Sequence, residues 1–209
     1  MIIAVDGPTA SGKGTIAKAL AAHFGLPVLD TGLLYRAVGY QTQLDHGDPD
    51  NAADALAACE FPASLLDDPA LRFESTGSLA SRASVHPQVR AALFQRQVDF
   101  ANQPGGAVLD GRDIGTVIAP HADAKLFVTA TAEERARRRH AEMLGRGVEV
   151  GFDAVLADVH ARDARDTGRA DAPLVRAPDA MLLDNSALDR DAAIAAAIAF
   201  VESRIGARG

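Results

Sequence analysis

The sequence predicts an α/β fold, a doubly wound five-stranded parallel sheet, from three observations. Short apolar runs recur between longer helical patterns, three of those runs end in an aspartate followed by a small or polar residue, and a glycine-rich turn joins the first run to the first helix. The runs lie at 2–5, 27–29, 107–109, 125–128 and 181–183. Unbroken hydrophobicity over so few residues suits strands buried on both faces. Apolar side chains recur at helical spacing over 16–24, 33–44, 88–102, 133–144, 153–166 and 189–205. Strands alternating with helices build a parallel sheet whose ligands gather beyond the strands' carboxyl ends. Asp30-Thr31, Asp110-Gly111 and Asp184-Asn185 close three of the runs, so their aspartates are all expected to face one crevice.

Residues 48–87 break the alternation. Pro49, Pro62, Pro69 and Pro87 punctuate short helical fragments there, which reads as a small lobe inserted into the sheet domain. The alanine-rich stretch 192–199 has low complexity, yet Ile194, Ile198, Val201 and Ile205 keep helical spacing. It is expected to form a terminal helix packed on the sheet.

Composition sets outer limits. A chain of 209 residues suffices for one domain with a small appended lobe, and 48% hydrophobic with only 5% aromatic residues means a core of Ala, Leu, Val and Ile. The net charge of −7 and a pI near 5.3 argue against a dedicated nucleic-acid binder. The single cysteine, Cys59, excludes an intrachain disulfide and suits a reducing cytoplasm. It reads as a small buried apolar residue rather than a catalytic thiol. No apolar run approaches the roughly 20 residues that span a membrane, and Asp6 interrupts the first run at once. A soluble, cytoplasmic protein without a membrane partner is expected, and a monomer.

The turn after the first strand is Gly7-Pro8-Thr9-Ala10-Ser11-Gly12-Lys13-Gly14-Thr15. Strand, glycine-rich turn, lysine and helix are the parts of a P-loop. Backbone N–H groups at a helix N-terminus favour an anion, and Lys13 brings a mobile cation to the outer phosphates of a nucleoside triphosphate. The usual Ser or Thr directly after the lysine, which holds magnesium, is replaced by Gly14, with Thr15 one place later.

Three further stretches carry polar chemistry. In Leu29-Asp30-Thr31-Gly32-Leu33-Leu34-Tyr35-Arg36, Thr31 can simply cap the next helix, whereas Tyr35 and Arg36 lie about one turn inside it and Arg36 suits a second phosphate. In Asp110-Gly111-Arg112-Asp113-Ile114-Gly115-Thr116, the plain reading is an Arg112–Asp113 surface ion pair. The functional one places Arg112 on a phosphate, Asp113 on a polar substrate and Asp110 by magnesium or its waters. Arg162, Arg165, Asp166 and Arg169 fall on one helical face, either as a solvated ladder Asp158–Arg162–Asp166–Arg169 or as arginines closing over transferring phosphates. Arg135, Arg138 and Arg139 form a second basic cluster in a chain that is acidic overall.

The stretches at 6–15 (DGPTASGKGT), 29–36 (LDTGLLYR), 110–117 (DGRDIGTV), 133–139 (EERARRR) and 162–169 (RDARDTGR) together resemble bacterial cytidylate kinases of the P-loop nucleoside monophosphate kinase type. The resemblance implies transfer of the γ-phosphoryl group of ATP to CMP or dCMP, with magnesium. It implies a sheet core (1–47, 88–144 and 171–209), a monophosphate-binding lobe (about 48–87) and a short lid (about 145–170). Residues Gly7 to Thr15 and Arg138 would hold ATP. Lys13, Arg112, Arg162 and Arg165 would serve the transfer. Arg36, Arg112 and Arg169 would hold the CMP phosphate, and Ser81, Arg90 and Asp113 would read the cytosine beside Thr31 and Tyr35. Arg162 and Asp166 would contact the sugar. Cytosine presents an amino donor beside two acceptors, which suits a carboxylate next to an arginine and makes Asp113 and Arg90 a matched pair. Many such kinases carry a longer insertion where this chain has only a bare connection, 61–72, so the lobe is expected to be small. A P-loop kinase for another small acceptor, and a nucleotide-dependent switch, are the alternatives. The switch reading lacks an Asn-Lys-x-Asp stretch for guanine and leaves the second anion site without a purpose.

Overall fold

In a computed structural model that describes residues 1–206, five parallel strands form one sheet in the order β2-β3-β1-β4-β5. They are β1 (Ile2–Asp6), β2 (Val28–Asp30), β3 (Ala107–Gly111), β4 (Ala124–Thr129) and β5 (Met181–Asp184). Each expected strand is present, and all five run one or two residues further toward the carboxyl edge. The central strand β1 is the most apolar and, after its first residue, fully buried, as a strand covered by helices on both faces must be.

Helices α1 (Lys13–Phe24), α2 (Thr31–Leu44), α3 (Ala52–Ala57), α4 (Glu74–Ala83), α5 (Pro87–Ala101), α6 (Ala132–Gly145), α7 (Phe152–Gly168) and α8 (Arg190–Gly206) complete the chain. The alanine-rich segment is indeed a terminal helix: Ala193, Ala197 and Val201 of α8 join Ile16, Leu20 and the inner faces of β1 and β4 in one core. Small side chains let α8 and α1 lie close to the sheet. On the opposite face, Leu109, Ile114, Ile118 and Ala101 close a second core.

A third core holds the inserted segment. Leu34 and Val38 of α2 pack with Phe61, Leu65, Leu71, Ala80 and Ala83, and with Val89 and Leu93 of α5. The connection 61–72 is therefore not a bare loop. It winds into 3₁₀ turns at Ala63–Asp67 and Pro69–Arg72, the second begun by Asp68, whose carboxylate accepts the N–H of Ala70 at 2.7 Å. Pro69 fits that start because its missing N–H would be unpaired there anyway.

Parallel register sets the polar edge. Asp30 pairs with Asp110, Val5 with Asp110, and Asp6 with Gly111, so three strand ends converge. Asp184 departs from expectation. It is exposed and turns outward to accept the N–H (2.9 Å) and hydroxyl (2.6 Å) of Ser186. The next residue, Asn185, points inward instead, because one step along an extended chain reverses the side-chain direction. Among the described residues no helix is long and apolar enough to cross a membrane.

Candidate active site

The loop between β1 and α1 begins at Gly7, with φ of 156°; a Cβ there would lie 2.1 Å from the carbonyl oxygen of Val128, so only glycine lets the chain leave the sheet on this course. Helix α1 starts at Lys13, with no acidic residue in its first turn to compete for its free N–H groups. Lys13 Nζ lies 3.7 Å from Asp110 Oδ1. Burial, and then Arg112, pulls the Lys13 pKa below its ordinary value. Burial pushes Asp110 up to about 6 against the pull of Lys13. The Ser11 hydroxyl and Asp110 Oδ1 are buried without a hydrogen-bond partner. Unpaired N–H donors, a lysine and a spare carboxylate oxygen suit a triphosphate with a divalent cation.

Beside the loop opens a cleft of about 600 Å³, counted out to its mouth. Thr9, Thr31, Tyr35, Arg36, Ser81, Arg90, Arg112, Asp113, Arg162, Asp166 and Arg169 all line it. Residues from six separate stretches of sequence thus meet in one place. Arg90 Nη2 donates to Asp113, both almost wholly buried, and the guanidinium stands 5.7 Å over the Tyr35 ring. Burial raises the Asp113 pKa against the pull of Arg90. Arg112 Nε donates to Asp166 at 2.7 Å. The plain alternative, an Arg112–Asp113 surface ion pair, does not form; each residue turns to a partner on another element.

The arginines are short of counter-charge. Arg169 Nε and Nη2 are buried without partners. Arg36 donates to the carbonyls of Leu71 (2.8 Å) and Phe73 (3.0 Å), and burial, then Arg162 and Arg139, lowers its pKa to about 10. Burial likewise lowers Arg162 and Arg169, with Asp158 and Asp166 respectively opposing. Such a cleft favours a bound anion, which would relieve the mutual repulsion of the arginines.

Several placements correct the reading of the sequence. Thr31 is not a helix cap; its hydroxyl donates to the Asp110 carbonyl at 2.8 Å and ties α2 to β3. Arg169 does not share the face of α7, which ends at Gly168. It is extended (φ −61°, ψ 135°) and reaches the cleft from just beyond the helix. Of the ladder, only the Asp158–Arg162 rung (2.8 Å) forms among the expected pairs, since Asp166 serves Arg112. Arg165 donates to Ser81 Oγ at 2.9 Å. Arg135 is a brace rather than a free cation: buried, it binds Asp163 at 2.5 and 3.0 Å and the carbonyls of Ala130 and Thr9.

Three contributors were not legible as site residues. Asp6 accepts the N–H groups of Ile114 and Gly115, both at 2.8 Å, which holds the Arg112–Asp113 loop against the first strand. Burial pushes its pKa up to about 7 against those two bonds. Glu74, at the start of α4, receives both Arg162 and Arg139. Asn185 is buried between the glycine-rich loop and α6. Asp6 stood next to the loop in sequence and Asn185 directly after a strand-end aspartate, but nothing local announced Glu74.

On the other side of α1, a second cleft is lined by Gly12, Thr15, Glu134, Arg138, Asn185 and Leu188 among others. Arg138 is held there by Glu134 (3.1 Å) and by Asn185.

The cytidylate kinase family model matches residues 3–203. A cytidylate kinase of Xanthobacter autotrophicus is 58% identical over 208 residues, covering 100% of both chains. One of Caulobacter vibrioides is 55% identical over 203 residues, covering 96% of this chain and 95% of its own. A crystal structure of an uncharacterized protein from Eubacterium ventriosum, 16% identical, superposes with a TM-score of 0.57 over 97% of this chain and 99% of that one, a likeness of fold alone. A match that runs through the loop, the arginine-lined cleft and the helices around them leaves one reading of the lineage: the chain belongs to the cytidylate kinase family.

Proposed function

We propose that the enzyme transfers the γ-phosphoryl group of ATP to CMP or dCMP, giving ADP and CDP or dCDP, with the loop cleft holding the donor and the 600 Å³ cleft holding the acceptor. The observation that carries this reading is the composition of the acceptor cleft. A buried Arg90–Asp113 pair sits beside Arg169, whose Nε and Nη2 are buried without partners and suit a monophosphate. Arg36, Arg112 and Arg169 take the CMP phosphate. Asp113 accepts the cytosine amino group while Arg90 and Ser81 meet its acceptors, with Thr31 and Tyr35 at the edge. Arg162 and Asp166 take the sugar.

On the donor side, residues 7–15 wrap the triphosphate, Lys13 reaches its outer oxygens and Arg138 covers the nucleotide. Thr15 and Asp110 would hold magnesium through water, and the cation would supply charge neutralisation for the phosphates. Phosphoryl transfer asks the protein for alignment and charge rather than a covalent nucleophile. Lys13, Arg112, Arg162 and Arg165 supply that charge. Arg165 leaves Ser81 when the lid (about 145–170) and the monophosphate lobe (about 48–87) close over the core, excluding water. The protein works as a cytoplasmic monomer.

ADP release with Mg·ATP and, separately, CMP, dCMP, UMP, AMP and shikimate tests the assignment. Rapid turnover with CMP and dCMP, weak turnover with UMP and none with AMP is expected. Release with none of the five, alongside tight ATP binding, overturns it.

A further inference from the structure

Asn185 directly follows β5 and is 4% exposed. Its backbone N–H donates to the carbonyl of Thr129 at 2.9 Å, which anchors it to the end of β4. Its side chain then faces two ways. Nδ2 donates to the Ser11 carbonyl in the glycine-rich loop at 2.8 Å, and Oδ1 accepts from Arg138 Nη1 at 2.9 Å. Arg138 Nη2 donates to the Asn185 carbonyl at 2.8 Å, so the guanidinium is gripped twice by one residue. The orientation of the amide is dictated, since only its nitrogen can donate to a carbonyl and only its oxygen can accept from a guanidinium. The amide also packs on the loop: a Cβ at Gly12 would lie 3.2 Å from Asn185 Nδ2.

We propose that Asn185 is a positioning residue for the phosphoryl donor, holding the Ser11 turn of the loop in register with Arg138 so that triphosphate and guanidinium meet in one geometry. It touches no reacting atom and acts through those two partners. The inference rests on the reading of the loop and Arg138 as the ATP side. Neither alanine nor aspartate preserves both contacts. Alanine leaves the Ser11 carbonyl and one Arg138 N–H without partners. Aspartate keeps the acceptor for Arg138 but sets a carboxylate oxygen against the Ser11 carbonyl.

The test measures KM for ATP and for CMP, and the melting temperature, in wild type, Asn185→Ala, Asn185→Asp, Arg138→Ala, Lys13→Ala and the two double variants that join Arg138→Ala to each Asn185 change. In Asn185→Ala, KM for ATP should rise about tenfold while KM for CMP stays within about twofold, because both lost contacts lie on the donor side. Adding Arg138→Ala to Asn185→Ala should then raise KM for ATP less than it does in wild type, while on Asn185→Asp it keeps its full effect. An unchanged KM for ATP in Asn185→Ala, with a raised one in Arg138→Ala, overturns the proposal and leaves the ATP reading intact. If neither Arg138→Ala nor Lys13→Ala moves KM for ATP, the donor-site reading itself fails and takes the proposal with it. Equal rises in both KM values with a lowered melting temperature, or strictly additive effects, show a merely structural residue. Should Asn185→Ala not fold, Asn185→Asp with and without Arg138→Ala decides by the same comparison: a selective rise in KM for ATP supports the proposal, and none overturns it.

Discussion

Arg112 Nε donates to Asp166 Oδ2 at 2.7 Å, joining the loop after β3 to helix α7, which are 54 residues apart in sequence. Burial alone would lower the Arg112 pKa, but Asp166, Asp110 and Asp30 together outweigh it and raise it; for Asp166, burial is outweighed by Arg112 and Arg169, and the carboxyl is held below its usual range. A charged pair thus holds the loop after β3, the proposed acceptor loop, against the helix proposed to close over it. Replacing Asp166 by Asn removes the charge and leaves Arg112 free to turn. The expected result is a drop of roughly tenfold or more in kcat/KM for CMP, read by steady-state kinetics, with KM for ATP little changed.

Lys13 and Asp110 face each other at 3.7 Å, where donor and acceptor are proposed to meet. Lys13→Ala removes the cation aimed at the outer phosphates and leaves a buried carboxylate behind. We expect kcat to fall by about a hundredfold or more, while the melting temperature stays near that of wild type. A kcat within a few-fold of wild type would place the transferring charge elsewhere.

Base selection is expected to reside in Asp113. Asp113→Asn keeps the size of the side chain but offers a donor where the cytosine amino group also donates, whereas the uracil carbonyl can accept it. The ratio of kcat/KM for CMP to that for UMP should shrink by about tenfold to a hundredfold. A ratio equal to that of wild type would remove Asp113 from the base site.

Asp6 makes stability depend on pH in a stated direction. Its ordinary pKa of 3.8 is raised to about 7 in the fold, so the folded chain holds the proton more tightly than the unfolded one. Stability from this proton is complete below about pH 4 and is lost as pH rises to about 7, on the order of 4 kcal/mol at most. Asp6→Asn should therefore be most destabilised relative to wild type at about pH 4, with the deficit shrinking toward pH 8. Thermal unfolding of both proteins across that range, without nucleotide, provides the check.

Arg135 is expected to matter for stability before it matters for chemistry. It is buried, and Arg135→Met leaves Asp163 unpaired together with the carbonyls of Ala130 and Thr9. A loss of roughly 3 kcal/mol, or on the order of 8 °C in melting temperature, should appear in calorimetry.

The chain itself determined the strands, the helices and the glycine-rich loop, because each depends on neighbours within a few residues. An apolar run such as 2–5 has one way to satisfy its backbone, and apolar side chains at every third or fourth place mark a helix. Lys13, Arg112 and Asp113 could be singled out for the same reason: their local pattern is dense in charge and glycine. Tertiary structure alone decided which charges pair. Arg112 takes Asp166 rather than its neighbour Asp113, Arg90 takes Asp113, and Arg135 is withdrawn to brace Asp163. These choices depend on where five strands end and three helices cross, and no spacing within one element carries that information. Asp184 and Asn185 show the same limit at its smallest scale. One ends the fifth strand and the other follows it, and only the pleat of that strand decides that the aspartate meets water while the asparagine reaches the loop.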